Sequence, residues 1–315
     1  MVKSNAFPTL RLSNGIEMPV MGFGCADFSD EAVTRKAVKV GLDAGYRFFD
    51  NAPFYRNEAE VGAALRDSEI PRNELFISTK LPNASHAYDD ALRAFETSMK
   101  VMQVDYFDMY MIHFPCPQQN KYCDAWRALE KLYDQKLIRG IGLSNFKEHH
   151  IKQILNMCNV GPLINEVECN PYFSQLELRG FCKANGIQPV AWFPLGGPVF
   201  AIEQPPVGEY KEEDLIGIIL AELRKKNKGK SVLLRDKTAQ AIGEKYGKSI
   251  AQVILRWHLQ ADIIPIPKSK NPLRLIENSE IFDFELTSEE MRQMDALDHG
   301  RRLGPDPDVY SDHAV

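Results

Sequence analysis

The sequence predicts an α/β protein, a single (β/α)8 TIM barrel with an N-terminal β-hairpin and an insertion after the seventh strand. Three observations carry this. Eight short apolar runs alternate with amphipathic helical patterns along nearly the whole chain. An Asn-Gly pair separates two strand-like pieces before the alternation begins. The 315 residues, 44% hydrophobic and 26% charged, suit one large buried core.

The elements follow in order. Residues 9–22, TLRLSNGIEMPVMG, read as a hairpin turning at Asn14-Gly15, placed as a plug in the barrel floor. The eight strands read as MGFGCA (21–26), YRFFDNA (46–52), LFISTKL (75–81), FDMYMIHF (107–114), RGIGLSN (139–145), LINEVEC (163–169), PVAWFPL (189–195) and DIIPIPKS (262–269). Between them, DEAVTRKAVKVGLDAG, DDALRAFETSMKVMQ and YCDAWRALEKLYDQK repeat apolar residues three and four apart, which leaves one helical face for the sheet. After the seventh strand the spacing breaks: an insertion at about 198–237 carries Pro198, Pro205 and Pro206. A helix on the rim is expected within it, with Leu215, Ile216, Ile219, Leu220 and Leu223 along one face. One domain covers 1–315, ending in a tail from about Asp298 expected to border the substrate pocket.

Bulk properties narrow the function. A net charge of −5, with no dense basic run apart from the short stretch Arg224-Lys225-Lys226 to Lys230, a weak footprint for a polyphosphate backbone, argues against nucleic acid as a partner. No segment offers the ~18 continuous apolar residues of a membrane span, and the N-terminus has no apolar leader, so the chain reads as cytoplasmic. Six cysteines without C-x-x-C pairing read as free thiols. The lone GFG at 22–24 lacks the G-x-G-x-x-G of a dinucleotide fold, and Glu148-His149-His150 reads as an exposed helical face, since adjacent histidines diverge on a helix. No metal is expected.

In such a barrel, chemistry sits at the C-terminal ends of the strands. There the sequence places Asp50, Lys80, His113, Ser144 with Asn145, Glu166 and Trp192, while Tyr55 follows Asp50 by five residues. Taken singly, each has an ordinary explanation: a capping aspartate, a surface lysine, a satisfied core histidine, a core tryptophan. Successive strand ends give the set its meaning. A phenol of pKa ~10 is a poor acid at neutral pH, and a neighbouring ammonium, Lys80, is expected to bring it closer to working range. Asp50 would hold Lys80 charged, and His113 would offer a second donor to a developing oxyanion.

The motifs GYRFFDNAPFYRNEAEVG, FISTKL, MYMIHFP, IGLSNF, INEVECNPY and IPKS, in this order, resemble those of the aldo-keto reductase family across nearly the whole chain. The spacings, 25 residues from Tyr55 to Lys80 and 33 from Lys80 to His113, resemble its shorter, bacterial-type branch of 2,5-diketo-gluconate reductases. The resemblance implies NADPH/NADP as cofactor, a small aldehyde or ketone as substrate, and Tyr55, Asp50, Lys80 and His113 as the catalytic tetrad. It implies Ser144, Asn145 and Glu166 at the nicotinamide carboxamide, Trp192 on the ring face and Leu195 nearby. Lys268, Ser269 and Arg274 match the grip on the 2′-phosphate, with Glu277 and Asn278 at the adenine. His113 and Phe114 would face substrate, in a monomer or weak oligomer. An alternative is a barrel that keeps its cofactor site but serves as a regulatory subunit, against which the intact tetrad stands.

Three departures from the family pattern matter. Glu166 stands where the family usually has Gln, and an anion there is expected to stabilise the cationic oxidised ring and make NADPH a readier hydride donor. Leu81-Pro82 and Phe114 stand where many relatives have tryptophan, so the pocket wall differs. The insertion after Trp192 lies where the family folds a loop over the cofactor pyrophosphate.

Overall fold

A computed structural model describes residues 6–26, 28, 30–197 and 231–310. Strands β1 (Thr9–Arg11) and β2 (Glu17–Pro19) pair antiparallel. Gly15, at φ 92°, takes the left-handed backbone the turn demands, and its N–H donates to Leu12 O at 2.8 Å. Leu12 and Met18 from the hairpin are buried against Phe48, Phe76, Met109 and Ile164 at the starts of barrel strands, so the hairpin closes the barrel floor as expected.

Eight parallel strands follow: β3 (Gly22–Gly24), β4 (Phe48–Asp50), β5 (Phe76–Leu81), β6 (Met109–Ile112), β7 (Ile141–Ser144), β8 (Ile164–Glu168), β9 (Gln188–Trp192) and β10 (Ile264–Pro265). Each pairs with its sequence neighbours, from β3 through to β10. Closure runs between β3 and the residues after β10, where Gly24 N–H donates to Pro267 O at 3.1 Å. Glycine permits it: a Cβ at Gly22 would stand 2.7 Å from Ile266 Cγ2 and 2.4 Å from the Phe48 ring. All eight expected strands are present but shorter than their apolar runs, because inter-strand pairing stops before the residues that turn into the loops.

Ten helices are described: α1 (Glu31–Asp43), α2 (Glu58–Arg66), α3 (Tyr88–Met102), α4 (Tyr122–Asp134), α5 (Glu148–Leu155), α6 (Leu176–Ala184), α7 (Lys237–Tyr246), α8 (Ile250–Gln260), α9 (Pro272–Ser279) and α10 (Ser288–Asp295). Local chemistry sets their starts. Asp30 accepts Val33 N–H at 2.9 Å, and Ser249 with Gln252 and Thr287 with Glu290 form capping boxes. The α4 face carrying Trp126 and Leu129 is fully buried, as its periodicity predicts. No helix among the described residues is long and apolar enough to cross a membrane. The rim helix expected at 215–223 lies outside the described residues.

After α10 the chain runs back over the C-terminal ends of the strands without regular structure. Glu168 accepts the N–H groups of Leu303 and Gly304 at 2.8 and 2.7 Å, and the Tyr310 ring packs tilted against Phe114 with centroids 4.5 Å apart.

Candidate active site

The β4–β5 register pairs Asp50 with Ser78, and strand alternation carries Lys80 to the same face two residues on. Asp50 Oδ1 accepts Ser78 Oγ–H at 2.7 Å, and Asp50 Oδ2 lies 2.6 Å from Lys80 Nζ. Lys80 Nζ also donates to Asn51 O at 3.1 Å and to Tyr55 Oη at 3.4 Å, and stands 3.2 Å from Glu166 Oε1. The Lys80 side chain is 1% exposed. Tyr55 ends a short 3-10 turn, Pro53–Tyr55, that the left-handed Arg56 (φ 54°) terminates. Beyond β6, the His113 ring meets Tyr55 edge-on with centroids 6.2 Å apart and packs beside Phe114. The four residues expected to act together, three at or near strand ends and Tyr55 on the loop after β4, are thus adjacent.

Charge and burial set their protonation. Burial alone would lower Lys80, but Asp50 and Glu166 outweigh it and hold the ammonium charged, well above the usual range. Burial drives His113 well below the usual histidine range, with Lys80 and His86 adding to the effect, so the ring is neutral and keeps one N–H to donate. Tyr55 departs from expectation: burial raises the phenol, and the lowering by Lys80 does not reverse this. The physical reason is that burial is the largest influence on the phenol, and Asp50, paired with Lys80, works against the ammonium's pull. The phenol therefore stays protonated and does not approach the neutral range.

Ser144 closes β7, and Asn145 follows in the left-handed region at φ 63°, a conformation asparagine tolerates. Asn145 Nδ2 donates to His113 O at 2.9 Å and Ser144 Oγ at 3.1 Å, while its Oδ1 accepts Trp192 Nε1–H at 2.9 Å. Glu166 Oε2 is buried with no hydrogen-bond partner among the described residues. Leu195 is half-buried against the core. At the far side of the mouth, half-buried Lys268 lies over the Phe28 ring at 5.3 Å. Ser269 is buried, and its Oγ accepts Asn271 N–H at 3.1 Å just before α9. Arg274 is exposed in the first turn of α9; Glu277 is half-buried and Asn278 buried further along.

Three features were not read from the sequence. Glu168 anchors the tail; its place two residues after Glu166, on the same face of β8, was the available signal. His86 is fully buried with both ring nitrogens unpartnered among the described residues, and no local pattern marks it. The third corrects the reading of Glu148-His149-His150 as an exposed face. His149 is exposed but His150 is 2% exposed, and both rings turn to Asp308 of the tail, at 3.0 and 3.4 Å. Among the described residues these three are the one grouping that could hold a metal ion. His150 Nδ1 accepts Lys147 N–H at 3.3 Å and Lys147 Nζ lies 2.6 Å from Asp308 Oδ2, so the cluster is already knit as a clamp on the tail. A cavity of about 260 Å³ beside it is lined by Tyr122, His149, His150 and Asp308 and by none of the four candidate catalytic residues. None of the six cysteines forms a disulfide.

Residues 20–299 match the family model described as the Aldo/keto reductase family. The chain is 41% identical over 300 residues to glyoxal reductase of Bacillus subtilis (strain 168), covering 95% of this chain and 96% of that protein. It is 39% identical over 299 residues to 9,11-endoperoxide prostaglandin H2 reductase of Trypanosoma cruzi (strain CL Brener), covering 95% of this chain and 94% of the relative. Among solved structures, a Bombyx mori aldo-keto reductase in complex with NADP superposes with a TM-score of 0.81 at 29% identity, covering 98% of this chain and 99% of that one. With its barrel, its strand-end cluster and a family match over most of its length, the chain belongs to the aldo-keto reductase family.

Proposed function

We propose that the protein is an NADP-dependent carbonyl reductase that converts small aldehydes or ketones to alcohols, with Tyr55 as general acid. One observation carries the reading: a single buried ammonium, Lys80 Nζ, lies 2.6 Å from Asp50 and 3.4 Å from the Tyr55 hydroxyl, with the neutral His113 ring beside that phenol. This is a proton donor and a second N–H donor converging on one place, with no nucleophile among them.

The residues suit the cofactor. Lys268, Ser269 and Arg274, around the N-terminus of α9, supply two cations and a hydroxyl, which match the 2′-phosphate dianion that distinguishes NADP from NAD. The orphaned Glu166 Oε2 can accept an amide N–H of the nicotinamide, with Ser144 and Asn145 alongside. Trp192 would cover the ring face beside Leu195, and Glu277 and Asn278 would meet the adenine. The cofactor, when bound, supplies the hydride. Tyr55 and His113 hydrogen-bond the substrate oxygen; Tyr55 then gives that oxygen its proton, and Lys80 steadies the phenolate left behind. Asp50 keeps Lys80 in place. Phe114 and Tyr310 would wall the substrate side. Relatives of near-equal identity are named for different substrates, so the particular carbonyl does not transfer.

The test is Tyr55→Phe. NADPH consumption with a panel of aldehydes should fall by about 10²–10⁴-fold while NADPH binding persists; undiminished turnover in a folded variant would overturn the assignment.

A further inference from the structure

We propose that Asp50 and Glu166 share one proton and one negative charge at neutral pH, with the proton on Glu166, and that its loss tilts the site toward the oxidised cofactor. The second part rests on the reading of this mouth as a nicotinamide site.

The geometry assigns the proton. Lys80 faces two carboxyl groups, Asp50 at 2.6 Å and Glu166 at 3.2 Å, and both carboxyl side chains are 2% exposed. One ammonium balances one carboxylate; a second anion at this depth would be uncompensated. Asp50 has the surroundings of an anion, since each oxygen takes a donor, Ser78 Oγ–H at 2.7 Å and Lys80 Nζ at 2.6 Å. Glu166 has those of an acid. Its Oε1 has only the longer contact to Lys80, and its Oε2 has no partner among the described residues.

The titratable groups facing Glu166 are Asp50 on β4, Lys80 on β5 and Tyr55 beyond β4, while its neighbours β7 and β9 carry no titratable side chain. Burial and then Asp50 push Glu166 up, against the opposing pull of Lys80.

A protonated glutamate imitates the glutamine that the family pattern expects, because each offers a donor and an acceptor. Here Oε2, unpartnered among the described residues, is left to accept an amide N–H. As pH rises, Glu166 releases its proton to solvent and the site gains a buried negative charge. That charge favours the cationic oxidised ring over the neutral reduced one and disfavours phenolate at Tyr55. The anionic Glu166 expected from the sequence is therefore the high-pH form.

Two measurements on wild type and Glu166→Gln test this. Infrared spectra of the cofactor-free proteins at about pH 6.5 should show a protonated-carboxyl band in wild type that is missing in the variant and disappears from wild type as pH rises. Fluorescence titrations of NADP⁺ and NADPH should show the ratio Kd(NADPH)/Kd(NADP⁺) rising about tenfold between about pH 6.5 and 9.5 in wild type, and staying flat in the variant. Tenfold is what a one-unit difference in Glu166 pKa between the two cofactor complexes produces. Absence of the band at pH 6.5 overturns the shared proton, whether or not cofactor binds. A pH-independent ratio with both cofactors bound overturns the tilt and leaves the reductase reading intact, whereas failure to bind either cofactor at any pH sinks the reductase reading and the tilt with it.

Discussion

Lys80 Nζ and Asp50 Oδ2 approach to 2.6 Å in a site where neither side chain is more than 2% exposed, and Glu166 brings a second carboxyl group to 3.2 Å from the same ammonium. The pair is thus asymmetric. Removing the lysine strands two acidic groups, while removing Asp50 leaves the lysine a partner.

Lys80→Met should therefore cost about 3–5 kcal/mol, the range for breaking a buried ion pair, and Asp50→Asn distinctly less. Denaturant midpoints for the two variants check the order. Reductase turnover should fall by about 10²–10⁴-fold in both, because each disturbs the support of Tyr55. Equal stability losses would mean that Glu166 does not serve as the reserve partner.

Glu168 holds the tail through Leu303 N–H and Gly304 N–H, and Tyr310 further along covers Phe114. Glu168→Gln keeps the shape but turns one acceptor into a donor facing a donor. Hydrogen bonds to a charged group contribute about 1.5–3 kcal/mol each, so limited proteolysis within 299–310 should accelerate by about tenfold or more. Carbonyl KM should rise while NADPH affinity changes little. An unchanged cleavage rate would show that the Lys147–Asp308 clamp alone secures the tail.

His86 sets part of the acid stability. Burial lowers its pKa to about 4, against about 6.5 for an unfolded histidine. Below about pH 6.5 the unfolded chain binds a proton that the folded chain does not, so this contribution is fully present above pH 6.5 and is lost as pH falls toward 4. Between about pH 7 and 5 the loss amounts to about 2 kcal/mol from this one side chain. His86→Leu should flatten the dependence of the unfolding midpoint by that amount; a slope matching wild type would show that His86 is protonated at no cost in the fold. His150 and His258, also lowered to about 4, act in the same direction and keep the variant's slope from vanishing.

The sequence by itself determined the order and number of the strands, the hairpin at Asn14-Gly15, and the placing of Asp50, Asn145 and Trp192 at or just past strand ends, with Lys80 and Glu166 one and two residues inside theirs. Those features are written in local periodicity and turn chemistry, which need no distant partner. Tertiary structure alone decided what the charges do. The Tyr55 phenol is raised because its placing in the barrel mouth outweighs the pull of Lys80, whose charge Asp50 already balances, and no spacing encodes that. Likewise His150 is buried and Glu168 is engaged because a tail more than 130 residues further along the chain returns to them, and contacts at that separation leave no periodic trace.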